Sequence, residues 1–249
     1  MLNHLFKSFC LSAALVITLS CGDSSTSLPD SLEPIFSPVS VVSESAIFTC
    51  GNSFDDLIQN DIPHVENEGT YFFIGYQQVS ALNTDAVIAR FDDGESTWCR
   101  NDYETTNDDS KGIGILWQST DSLYGVFTIT GVQPGESFFR FSSNGWLSSY
   151  GQGGGVRISV ILSIDIDSGD PEVATMISSQ LSNGDTNTAI LREFEIVDDR
   201  IRAILDSGFS PRKTDRSPFT CSGSSPITWT LDLSFNLETA LASTAENCL

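Results

Sequence analysis

Positive charge is scarce in this 249-residue chain: 12 Lys and Arg stand against 33 Asp and Glu, giving a formal charge of -21 and a pI near 4.1. Such an acidic surface repels phosphate backbones and excludes non-specific nucleic-acid binding. Histidine is also rare, with His4 and His64 alone. Neither Cys-x-x-Cys nor Gly-x-Ser-x-Gly occurs, so zinc coordination and a serine elbow lack their usual signatures. Ser-His-Asp chemistry would have to use His64, which sits in Ile62-Pro63-His64-Val65 and reads as a loop histidine. No phosphate-cradling Gly-x-Gly-x-x-Gly opens a helix; the run Gly151-Gln152-Gly153-Gly154-Gly155 enters a strand instead. A long apolar stripe of helical period is missing too, which leaves strands as the building material.

What is present begins with an address. Residues 1–20 read as a secretory leader, with His4 and Lys7 ahead of the apolar run 11–19, which is too short to anchor a membrane-spanning helix. The following Thr18-Leu19-Ser20-Cys21-Gly22 resembles the lipobox of bacterial lipoproteins, with Thr18 where that family prefers an aliphatic residue. The resemblance implies that Cys21 becomes the lipidated first residue and holds the protein to a membrane by acyl chains. The same resemblance, with Gly22 where the inner-membrane retention signal has Asp, implies the outer membrane or cell surface. Residues 21–45, rich in Ser and Pro, have the composition of a tether reaching on the order of 25–30 Å. The folded domain is then expected over residues 46–249.

Four cysteines remain: Cys50, Cys99, Cys221 and Cys248. An even number in an exported chain implies two disulfides, with three pairings open. Cys50–Cys99 with Cys221–Cys248 is favoured, because each pair clips one end of the domain to its neighbourhood.

With 40% apolar residues the chain can fill a core. Alternation of period two is clearest over residues 156–166, where Val156, Ile158, Val160, Leu162, Ile164 and Ile166 share one face. It recurs at 227–233, and more weakly at 71–75, 86–91, 113–117, 123–129, 138–141, 173–178, 189–196 and 201–205. Asp- and Gly-rich turns separate these segments. The fold class is therefore all-β.

One order of elements occurs twice. Asp85-Ala86-Val87-Ile88-Ala89-Arg90-Phe91-Asp92 leads through a Gly turn to Trp98, then Asn107-Asp108-Asp109, then Gly112-Ile113-Gly114-Ile115. About 75 residues on, a strand from Ser159 leads through Gly169 and Ala174-Thr175 to Asn183-Gly184-Asp185 and Thr188-Ala189-Ile190. Together with Tyr71-Phe72-Phe73-Ile74-Gly75-Tyr76, the first copy resembles the bacterial β-propeller repeat (SBBP-like) of secreted and surface proteins. That resemblance implies a propeller-like array of short antiparallel sheets used for binding or scaffolding; a β-sandwich is the alternative.

Several segments are weighed for chemistry. Asp165-Ile166-Asp167-Ser168-Gly169-Asp170 looks like a calcium loop but has Gly169 and Met176 where acidic ligands belong, so it reads as a hairpin turn. Calcium held by the loop acids Asp102, Glu104, Asp108 and Asp109 stays open, and no other cofactor is expected. Asp92-Asp93-Gly94-Glu95-Ser96-Thr97-Trp98 is a near miss to the Asp-box, a structural turn in any case. The most unusual segment is residues 209–219, where Arg212, Lys213 and Arg216 cluster between Phe209 and Phe219. It is the candidate ligand site, suited to an acidic protein or glycan partner; a loop neutralising neighbouring acids is the competing reading. The expected function is a membrane-anchored binding or scaffolding module, with no catalytic residue identified. The alternative is a carboxylate-dependent hydrolase of extracellular glycans, for which Glu193 and Glu195 would flank a cleft.

Overall fold

The alternating segments become strands in the computed structural model, which describes residues 36–222, 225–244 and 248–249. In chain order these are β1 (Val39–Val42), β2 (His64–Asn67), β3 (Thr70–Ser80), β4 (Asn83–Asp92), β5 (Glu95–Arg100), β6 (Ser110–Ser119), β7 (Ser122–Ile129) and β8 (Ile158–Ile164). There follow β9 (Pro171–Ile177), β10 (Ser179–Gln180), β11 (Thr186–Asn187), β12 (Ala189–Val197), β13 (Arg200–Ser207), β14 (Ile227–Leu233) and β15 (Ala240–Thr244). The single α-helix among the described residues, α1 (Phe54–Gln59), starts at a capping box in which Ser53 and Asp56 satisfy each other's backbone N–H. No helix among the described residues is long and apolar enough to cross a membrane.

The larger sheet runs β1-β6-β7-β8-β12-β13-β14-β15, with β9 attached to β8; a second sheet is β2-β3-β4-β5, and β10 pairs with β11. None closes on itself. Neighbours are antiparallel except at one place, where β8 meets β12 in parallel through Ile158 and Ala189. There the larger sheet forks, because β9 pairs with the rest of β8. Ser159 bridges the fork: its hydroxyl donates to the Ala189 carbonyl at 3.0 Å and accepts from the Leu191 N–H at 3.1 Å. Both faces of β8 are covered, so Ser159 and Ile161 are as buried as Val160 and Leu162.

The sheets stack through β3 and β4, which lie on β6. Phe72 meets Trp117 edge-on with ring centroids 4.9 Å apart. Close approach depends on Gly112, where a Cβ would fall 2.3 Å from Ile74 Cγ1. The other face of the four-stranded sheet is covered by residues 46–62. Phe48, Leu57 and Ile62 pack there against Phe73, Val87, Ala89 and Phe91, forming a second core. Disulfide Cys50–Cys99 fastens this cover to β5, and Cys221–Cys248 joins the C-terminus to the chain ahead of β14.

Three expectations change. Residues 138–141 form a 3-10 turn instead of a strand: Phe-Phe-Arg-Phe has no alternation, Phe138 packs on Phe127, and Phe139 is exposed. Residues 36–45 belong to the same unit as the domain expected from Ala46, since Val39–Val42 pairs with β6 inside the stretch whose composition reads as tether. The sheets also do not follow the repeat. Strands of its first copy divide between the two sheets, β4 and β5 in one and β6 in the other, whereas those of the second stay in one.

Candidate ligand-binding groove

Two β-bulges shape the surface beside the fork. The β6–β7 register passes from Gly112–Phe127 to Gly114–Val126, leaving Ile113 unpaired, and the β12–β13 register skips Arg192. Bulges re-aim side chains, and both of these residues line a groove of about 580 Å³. Lys111 and Thr128, cross-strand neighbours, contribute to it, as does Arg157 one residue before β8. Thr188, Ile190 and Leu191 form the β12 side, and Val42, Ser43, Glu44 and Ser45 the other.

The charge here is opposite to that of the molecule. Lys111, Arg157 and Arg192 converge, while Glu44 is the single acid in the lining. Lys111 places its ammonium 4.1 Å from the Tyr76 ring centroid, and Arg192 Nε reaches Asp206 at 2.8 Å. Arg157 is exposed and pairs with no carboxylate among the described residues. Ser45 Oγ is buried with no hydrogen-bond partner. Cations, hydroxyls and the apolar Val42, Ile113, Ile190 and Leu191 together suit an anionic ligand with an apolar body.

The 209–219 loop lies elsewhere and is built differently from a grip of three cations. Arg212 turns inward, 9% exposed, with Nε on Ser178 Oγ at 3.2 Å and Nη1 on the Arg216 carbonyl at 2.9 Å. Burial lowers its pKa. Lys213 stands 5.6 Å from the Phe219 ring centroid, and Phe209 is exposed. Trp146 closes the loop from below, its indole N–H donating to the Thr214 carbonyl. Glu193 and Glu195 are exposed on β12. His64 is half-buried on β2, with Nδ1 2.8 Å from the Ile62 carbonyl. Cys21 lies outside the described residues.

The calcium-like turn turns out to be a docking element. Asp165 accepts from the N–H groups of Asp167 and Ser168, Asp167 meets Arg90 at 3.2 Å, and Asp170 bonds Arg100. Guanidinium groups thus stand where a metal would be sought. Of the loop acids, Asp102 is taken by Arg100, Asp108 by Gln133, and Asp109 by Thr84. Glu104 alone keeps a buried oxygen without a partner. No group of three or more His, Cys, Asp or Glu in metal-holding geometry occurs among the described residues.

Lys111, Arg157 and Arg192 escape sequence reading because they stand on three different strands or their margins. Only the fork brings them together. Comparison with protein-family models, curated proteins and solved structures finds no match to this chain.

Proposed function

We propose that this protein is an exported, lipid-anchored envelope protein whose all-β domain binds a carboxylate-bearing ligand in the groove beside the sheet fork. The observation that carries the reading is the convergence of Lys111, Arg157 and Arg192 in a protein of charge -21. A local positive site within a repulsive field admits anions selectively, and the apolar lining favours those with a hydrophobic body. Two disulfides support an oxidising compartment. The lipobox-like Cys21 and the Ser/Pro-rich stretch support attachment to the outer membrane or cell surface. The edge-on contact of Phe72 with Trp117 supports a sandwich-like stacking of the sheets over a propeller. Binding is preferred to glycan hydrolysis because the groove is lined by one carboxylate where that chemistry needs two.

The test is fluorescence anisotropy with labelled oligoglutamate and labelled oligogalacturonate, which present the same anion on a peptide and on a glycan. The wild-type protein is expected to bind one of them, more weakly as salt rises. K111A/R157A should lose at least about tenfold in affinity. Equal binding by the double variant, or binding of neither probe, overturns the reading.

A further inference from the structure

We propose that Glu104, Asp85 and Asn83 form a site for a hard divalent cation of the calcium type, where β4 meets the loop leading from β5 to β6. Glu104 has no solvent exposure. Its Oε1 accepts from the Thr106 N–H at 2.7 Å and from the Thr106 hydroxyl, whereas Oε2 has no partner. Asn83 repeats the pattern. Its Nδ2 donates to the Thr106 carbonyl at 2.9 Å and to Asp85 Oδ1 at 3.4 Å, while Oδ1 is buried and unpartnered. Both unanswered oxygens thus belong to one network organised by Thr106, and the network includes Asp85, which is 5% exposed.

The unanswered Glu104 and Asn83 atoms are both acceptors, and the charges that bear on the Glu104 carboxyl are those of two acids, Asp85 and Asp108. Burial, with Asp85 and Asp108 adding negative charge, pushes the Glu104 carboxyl up to about 7. Burial raises Asp85 as well. Buried acceptors and carboxylates without a counter-charge are costly, and such sites resolve by taking up a proton or a cation. Carboxylate and amide oxygens are the ligands that calcium prefers, completed by backbone carbonyls and water. An open surface depression of about 340 Å³, lined in part by Thr105, Thr106 and Gln133, adjoins the network through Thr106. The Asn83 amide provides the third donor beside two carboxylates.

Full-length protein is melted in EGTA and then in calcium, and titrated with calcium by calorimetry. The wild type is expected to bind one strongly held ion and to gain at least about 4 °C in Tm. E104Q and D85N should each weaken that site at least about tenfold, whereas D121N, at an exposed acid, should leave it intact. N83D, with one more carboxylate, should bind calcium more tightly and guards against loss by misfolding. The proposal is overturned if the wild type shows no calcium response, which leaves a protonated Glu104 as the answer to its burial, or if E104Q responds like the wild type, which assigns the ion to surface acids.

Discussion

Small hydroxyls do much of the joining inside this protein. Ser159 supplies both partners at the fork, Thr175 accepts the Leu147 N–H, Ser110 accepts the Ala86 N–H, and Ser207 accepts the Trp229 indole N–H. Each gives a buried backbone or ring N–H, or a buried carbonyl, a hydrogen-bond partner. Replacing Ser159 by Ala should strip partners from the Ala189 carbonyl and the Leu191 N–H. The expected cost is about 1–3 kcal/mol, read as a lower urea midpoint with an unchanged slope. An unchanged midpoint would show that the fork is held by packing alone.

The β8–β9 hairpin turn fastens the two sheets to each other. Arg90 and the Trp98 indole N–H both donate to the Ile166 carbonyl, at 2.9 and 3.0 Å, and the Tyr103 hydroxyl donates to the Gly169 carbonyl at 2.9 Å. Gly169 has φ +74°, and a Cβ there would lie 2.8 Å from Trp98, so the turn depends on glycine both for conformation and for contact. Arg100 grips Asp102 and Asp170 and holds both carboxyls below their usual range. A carboxyl lowered in the folded state contributes stability above its unfolded pKa and loses it as pH falls through the folded value. Acid titration followed by circular dichroism should therefore show stability dropping below about pH 4. In R100Q the protein should start less stable at neutral pH and lose less on acidification. Parallel acid curves for the two proteins would contradict this role of Arg100.

At the scale of the whole molecule, two disulfides do different work. Cys50–Cys99 closes across 49 residues and holds the cover of the second core, while Cys221–Cys248 closes across 27 and secures the C-terminus, where Thr220 and Leu249 exchange backbone hydrogen bonds. Loop-closure entropy gives each about 4 kcal/mol. The consequences should still differ. C50S/C99S is expected to expose residues 46–62 to limited proteolysis, whereas C221S/C248S should leave that segment protected. Protection of 46–62 in both variants would mean that core contacts suffice to hold the cover.

Alternation was strong enough in the sequence to determine the all-β class and to locate β4, β7, β8, β9, β12, β13 and β14, because side chains along a strand answer directly to burial. Even cysteine number and proximity pointed to the two pairs that form. Short or irregular elements were not legible: β1 is four residues long, and 138–141 is apolar without alternation. The groove was hidden for another reason. Lys111, Arg157 and Arg192 look like scattered charges until a fork and two bulges converge them, and those arise from pairings between distant strands that no local pattern encodes. Period-two patterning thus settled which of the longer segments extend; only tertiary packing decided which strands pair, which serines are buried, and where positive charge gathers on an acidic protein.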